Sequence, residues 1–393
     1  MTRARPPALR LDPAKVAAWR LERQHLSADA AATRPEEVAY DLVGVQAQVT
    51  SAAALSVAVR TDGVAVDAVP VALAERRLVR SWAMRGTLHL FAADDLPTVV
   101  AALRRREMWR RPAWLRYFGL TEAEVEATIE AIGEILADGR PRTRAELSDE
   151  LRQRLGPTVG EQVRSSWGTI LKPAADRGYL CHATGEGTGV TFTRPDVWLG
   201  RWREEDPDTA LVDVVRRYLR AYGPADPNDV RLWWGTQPAM VRPALRTLAE
   251  EIVEVELGPR RGLLAAVDVE AIEQATPIRG SVRLLGPFDP LVVRGGLRDQ
   301  LIPAEHLPRV SRTAGWISPV VLVDGVVAGV WTSERVGSEL RLTVDPFAPS
   351  TAARRRELER EAERLAARQG LSVRLELGPV YATGGPADGE SLS

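Results

Sequence analysis

The sequence predicts an α+β chain: tandem winged-helix units, each a helix-turn-helix with a β-wing, followed by a β-rich C-terminal domain. Three observations lead there. Helical spacing of apolar residues gives way to strand alternation three times between residues 10 and 280. Glycine-bearing turns separate the alternating runs. Beyond residue 280 β-branched and alternating segments dominate. The expected units are 10–118, 119–203, 204–280 and 281–382, with a flexible tail at 383–393. Only the order of elements repeats; the residues themselves do not.

In the first unit, Asp12-Pro13 supplies an N-cap and a first-turn proline, with Val16, Trp19 and Arg23 on one helix face. A second helix is expected over 35–46, with Gly44 weakening its last turn. Further helices are expected over 50–59 and 66–79. Trp82, Met84, Leu88 and Leu90 then alternate around Arg85-Gly86, as a hairpin does. The second unit opens with Thr143-Arg144-Ala145-Glu146, a capping pattern, and continues with a helix over 165–178. Strands at 179–182 and 189–192 follow, joined by Thr184-Gly185-Glu186-Gly187-Thr188. In the third unit Leu211, Val215, Tyr218 and Leu219 mark a helix, Asp226-Pro227 caps another, and a third runs over 238–250. Strands at 252–257 and 263–267 flank Gly-Pro-Arg-Arg-Gly. In the last domain 282–285, 320–323, 340–344 and 371–377 read as strands, with Asp324-Gly325 as a hairpin turn. One helix, 351–368, carries Leu358, Ala362 and Leu365 on its buried face. Its row Arg356, Arg360, Arg364 and Arg368 either tracks a phosphate backbone or, interleaved with glutamates, lies in solvent.

The 393 residues suit two or more domains with large cores, and no stretch approaches the ~18 uncharged apolar residues of a membrane span. The basic N-terminus lacks the apolar core of a secretory signal. Cys181 is the single cysteine and there are four histidines, too few for a zinc-finger ligand set, so no metal centre is expected. Net charge is −1, which excludes a uniformly basic surface but not a local basic face. Lys15 and Lys172 are the only lysines, so arginine carries nearly all the positive charge. Arginine pairs with phosphates bidentately and stacks on bases. Between residues 101 and 118 six arginines face one acid, with Trp109 and Trp114 interleaved. Arg104, Arg105, Arg106, Arg110 and Arg111 are therefore expected either to contact a DNA backbone or to form solvated or paired helix faces. Phosphate-loop, dinucleotide-binding and nucleophile-elbow patterns are missing, and Cys181 sits in an apolar strand where a thiol is inert.

Four stretches carry a resemblance that spans most of the chain. They are Asp41-Leu42-Val43-Gly44-Val45-Gln46-Ala47-Gln48-Val49, Trp82-Ala83-Met84-Arg85-Gly86-Thr87-Leu88-His89-Leu90-Phe91, Leu285-Gly286-Pro287-Phe288-Asp289-Pro290-Leu291, and Val323 through Trp331. The sequence resembles the AlkZ-like DNA glycosylases and their winged-helix DNA-binding relatives. That resemblance implies three tandem winged helices and a C-terminal β region around a concave DNA channel. It also implies removal of N7-alkylated purines, including interstrand cross-links made by azinomycin-type agents, by members carrying Gln-x-Gln. The pair maps onto Gln46 and Gln48, with Ala47 as a small apolar residue between them. Some relatives carry an acid in place of the second glutamine, and others lack the pair.

Chemistry makes the pair credible. An N7-alkylguanine is already cationic and leaves as a neutral base, so amide oxygens need only orient water and favour a developing sugar cation. On spacing alone, the same glutamines cap a helix end or face solvent. Arg85, Thr87 and His89 share strand parity and project from one face of the first wing. There they contact phosphates, or His89 satisfies a backbone carbonyl inside the domain. The expected function is a monofunctional DNA glycosylase acting on double-stranded DNA as a cytoplasmic monomer, with no cofactor and no membrane association. The alternative is a non-catalytic winged-helix DNA-binding protein or regulator.

Overall fold

The computed structural model describes residues 9–27, 30–63, 65–165, 168–183 and 189–380, without the side chain at 314. The N-terminal basic segment, the glycine-rich loop 184–188 and the tail 383–393 lie outside the described residues. Helices start where the capping residues stand. Asp12 Oδ1 accepts from Ala14 N at 2.8 Å and opens Pro13–Arg23. Thr143 and Glu146 cap Arg144–Leu155 reciprocally, and Asp226 with Asp229 does the same for Pro227–Trp234.

Three expected helices change. The helix expected over 35–46 is Pro35–Asp41. Val43 and Gly44 take φ of 53° and 97°, and the chain enters the strand Val45–Gln46. A Cβ on Gly44 would lie 2.5 Å from Phe91 Cε1, so the turn needs glycine. The helix expected over 66–79 is Ala68–Ala74; Arg76 has φ 57° and Leu78 already begins a strand. In place of one helix over 165–178 there are Pro157–Ser165, a 3₁₀ turn at Thr169–Leu171 and the short Lys172–Asp176, with Gly168 at φ 77° before the turn.

The described residues form three sheets among many helices, a mixed α+β architecture. The largest has six strands in the spatial order Val45–Gln46, Leu88–Ala92, Leu78–Trp82, Cys181–Ala183, Thr191–Thr193, Arg142–Thr143. The hairpins expected as separate wings of the first two units are thus one sheet, joined where Arg80 pairs with His182. In the three-stranded sheet, Leu9–Leu11 runs parallel to Ile252–Leu257, which pairs antiparallel with Arg260–Ala265. The start of the chain therefore completes the sheet of the third unit.

One hydrophobic core also joins these distant segments, packing Val38, Leu42, Phe91 and Val99 with Tyr218, Tyr222, Trp233 and Trp234. Arg20 is buried here; it donates to the carbonyls of Gly223, Pro224 and Gly296 at 2.9, 3.1 and 2.7 Å. Burial holds its pKa down at about 10.

The C-terminal sheet runs Val282–Leu285, Val320–Val323, Val326–Val336, Glu339–Pro346, Ser372–Leu377, and packs on Ala352–Ala367 through Leu358, Ala362 and Leu365. Asp324 and Gly325 both take positive φ, the hairpin geometry their sequence predicts. Arg360 and Arg364 pair with Glu357 and Glu361, and Arg368 donates to Ala58 O and Thr61 O, so most of this arginine row is occupied. Short helices at Pro290–Arg294, Arg298–Leu301 and Leu307–Val310 have too few turns to show a period in sequence. No helix among the described residues is long and apolar enough to cross a membrane.

A buried ion pair docks this domain on the first unit. Asp289 receives Arg60 Nη1 and Nη2 at 2.7 and 2.8 Å, and neither side chain is exposed. Arg60 also donates to Ser56 O at 2.9 Å, while Asp289 Oδ1 accepts from Leu291 N at 3.1 Å and caps Pro290–Arg294. Gly286 approaches Leu55 so closely that an added Cβ would sit 2.9 Å from its Cδ2.

Candidate active site

The docking of three segments creates a narrow cavity of about 10 Å³. Its lining includes Gln46, Arg85 and His89 from the first unit, Tyr222 and Trp233 from the third, and Arg294 from the C-terminal domain. Gln46 lies on a short strand opposite His89, not at a helix end. The helix-cap reading of Gln46 is therefore corrected. Its Oε1 accepts from Arg85 Nη2 at 2.9 Å, leaving a second lone pair on that oxygen. Gln48 is exposed at the end of the same segment, where its Oε1 accepts from Leu88 N at 3.3 Å.

Arg85 does not project from a wing. It sits in the tight turn Met84–Gly86 with φ 57°, which breaks the strand parity expected for Arg85, Thr87 and His89. Gly235 packs against this turn; a Cβ there would lie 2.6 Å from Arg85 Cα. Arg85 Nη1 donates to Trp233 O at 2.8 Å, and Nη2 also approaches His89 Nε2 at 3.4 Å. Thr87 hydroxyl donates to Met84 O, and His89 Nδ1 donates to Thr87 O at 2.9 Å. His89 is thus a buried imidazole satisfied by a backbone carbonyl, not a phosphate donor. Burial and the Arg85 charge keep it neutral, with its pKa pushed well below 6.5. Arg85 itself is lowered to about 10, by burial first and by Arg294 second.

The arginine block divides. Arg104 pairs with Glu204 at 2.8 Å and Arg105 with Asp208, both about a hundred residues away. Arg106 is buried, donating to Asp176 Oδ1 at 2.9 Å and Ala83 O at 2.7 Å. That removes it from phosphate contact. Arg110 pairs with Glu122 and Glu107 and stacks on Trp109 at 4.3 Å. Arg111 and Arg116 are exposed and make no ion pair among the described residues, beside Tyr117 at 79% exposure. Replacing Arg106 by alanine leaves Asp176 buried without its partner, so a stability loss of about 3–5 kcal/mol is expected in chemical denaturation. Alanine at Arg111 and Arg116 should leave stability within about 0.5 kcal/mol. If these two touch phosphates, the salt slope of duplex binding falls by roughly 0.9 for each.

His182 shares the fate of His89. It is buried, accepts from Arg80 Nη2 at 3.0 Å, and desolvation pushes its pKa well below 6.5. Both imidazoles stay neutral in the fold while the unfolded chain takes up their protons below pH ~6.5. Stability is therefore expected to fall as pH drops below about 6.5, by up to about 1.4 kcal/mol per pH unit for each histidine. Denaturation midpoints of His182→Gln against the parent between about pH 6.5 and 5 test this. An equal slope in both would remove His182 from the account. His25, raised by its hydrogen bond to Asp41, acts in the opposite direction.

Sequence reasoning missed Arg294, Trp233 and Tyr222. Arg294 follows closely on the quoted Leu285–Leu291 stretch, but only docking brings it to Gln46. Cys181 is buried, and burial pushes its thiol pKa up, as expected of inert packing.

Amides and guanidiniums line this cavity, with neither a thiol nor a carboxylate among its lining residues. Such a set can orient a water and meet negative charge through its hydrogen-bond donors and acceptors. A family model described as DNA glycosylase AlkZ-like matches residues 39–368. An interstrand DNA cross-link repair glycosylase of Streptomyces sahachiroi is 37% identical over 367 residues, 91% of this chain and 96% of that protein. The solved structure of the Streptomyces sahachiroi DNA glycosylase AlkZ aligns with a TM-score of 0.86 at 34% identity, covering 94% of this chain and 100% of that one. The chain belongs to the AlkZ-like family of DNA glycosylases, enzymes that hydrolyse N-glycosidic bonds.

Proposed function

We propose that this glycosylase excises cationic N7-alkylated purines from duplex DNA, unhooking interstrand cross-links among them, with Gln46 and Gln48 around the attacking water. One observation carries the reading: Gln46 Oε1 is held at 2.9 Å by Arg85 and keeps one lone pair for a water. The relative's role in cross-link repair supports the substrate class. In this reading the three helix-and-hairpin units act as tandem winged helices on the duplex. The cavity, at about 10 Å³, has room for about one water, so it suits the attacking water rather than a flipped nucleotide.

The bond between C1′ and the base nitrogen breaks, and its electron pair neutralises the cationic base. The leaving group therefore needs no acid, consistent with the neutral His89 beside the site. Water adds to C1′ of the oxocarbenium-like sugar and releases a proton to solvent, leaving an abasic site. An amide oxygen orients that water without being a strong base. The test is a duplex carrying one N7-methylguanine, scored for abasic sites and free base, beside a duplex joined by an N7-linked cross-link. Release of the methylated base and separation of the cross-linked strands are expected. Binding of both duplexes with no base released would instead favour a DNA-binding protein.

A further inference from the structure

Arg85 gives its cationic hydrogen bonds to neutral groups: the amide of Gln46, the carbonyl of Trp233 and the unprotonated Nε2 of His89. Arg294 lines the same cavity with its Nε buried and without a hydrogen-bond partner among the described residues. Asp289, the nearest acid in sequence, is taken up by Arg60. Two guanidiniums thus meet at a site whose lining contains no carboxylate. Their mutual repulsion is felt by Arg85, whose pKa Arg294 helps to lower. The proposed reaction shifts the positive charge of the alkylated base onto the sugar, at the carbon the water attacks. Left alone, this arrangement opposes the transition state instead of stabilising it.

An anion resolves the conflict, and DNA carries one on each side of every nucleotide. Arginine seats a phosphodiester better than any other side chain. We propose that Arg294 seats the phosphodiester flanking the damaged nucleotide, with Arg85 as a positioning residue behind it that holds Gln46. The seated phosphate cancels the guanidinium charge and places a negative charge beside the developing oxocarbenium ion. The proposal rests on the glycosylase reading above. It also explains the buried Arg60–Asp289 pair: docking the C-terminal domain fixes the short helix that ends at Arg294.

The experiment compares the parent with Arg294→Gln and Arg294→Lys on duplexes containing one N7-methylguanine. The phosphates are either native or replaced by a single neutral methylphosphonate at one flanking position. Arg294→Gln is expected to slow single-turnover release about 10–10²-fold, and Arg294→Lys much less. A methylphosphonate at the seated phosphate should slow the parent by a similar factor and slow Arg294→Gln little further. The salt slope of binding should fall by roughly 0.9 in Arg294→Gln. Parent-like release and an unchanged salt slope would overturn the proposal, as would full additivity of the variant and the methylphosphonate. Should Arg294→Gln unfold, the parent on both duplexes still decides the matter, because its release must slow when the seated phosphate is made neutral. A parent that binds the lesion duplex but releases nothing sinks the glycosylase reading. In that case the salt slope alone decides whether Arg294 touches phosphate.

Discussion

Alanine at Gln46 is expected to slow release of N7-methylguanine by about 10²–10³-fold, the usual cost of losing one preorganised electrostatic group at a reacting centre. The substitution keeps the strand pairing with His89, which is made by the backbone. It also takes from Arg85 one of its few acceptors, a half-buried charged contact worth about 1–3 kcal/mol of stability. Rates should therefore be compared well below the melting temperature of the variant. Gln48 offers a cleaner control, since it loses only a 3.3 Å bond from Leu88 N at an exposed position. Gln48→Ala should slow release with stability near that of the parent. Gln48→Asp should retain substantial activity, because a carboxylate orients water and favours a neighbouring cation. Single-turnover release as fast as the parent in the double alanine variant would place the water elsewhere.

Asp289→Ala is expected to cost as much stability as the loss of Arg106. Arg60 would keep its full burial and lose the carboxylate it meets twice, at 2.7 and 2.8 Å. Removing one member of such a pair typically costs about 3–5 kcal/mol, because the remaining charge is left without compensation. The loss should appear as a lower denaturant midpoint, with earlier unfolding of the C-terminal domain seen by hydrogen exchange in Val282–Leu285. Arg60→Met combined with Asp289→Leu should recover much of it, since neither charge remains to be desolvated. It should not recover full activity, because the Asp289 cap on Pro290–Arg294 is gone. A single-variant shift below about 1 kcal/mol would show that solvent reaches Arg60 readily.

Much of the local structure was legible because its causes are local. Caps at Asp12, Thr143 and Asp226 act on the next three residues, and each starts a helix where it stands. Asp324-Gly325 turns because both residues tolerate positive φ. The change at Gly44 was only half legible. Glycine weakened the expected helix, yet the reason it must be glycine is Phe91, a contact from another strand. The arginine block left DNA contact and solvated or paired faces both open, and Glu204, Asp208 and Asp176 hold three of its members from far along the chain.

The sequence by itself determined the α+β class and the order of helices and hairpins, and it placed Gln46 and Gln48 one residue apart. Tertiary structure alone decided what those glutamines face. It merged two hairpins into one sheet, returned the first strand to the third unit, and brought Arg85 and Arg294 together beside Gln46. The division has a physical cause. Propensity, capping and turn geometry act over a few residues, whereas ion pairs, sheet edges and desolvation depend on distance in space. Gln46 and Arg294 are 248 positions apart in the chain and line one cavity through tertiary contacts such as the buried Arg60–Asp289 pair.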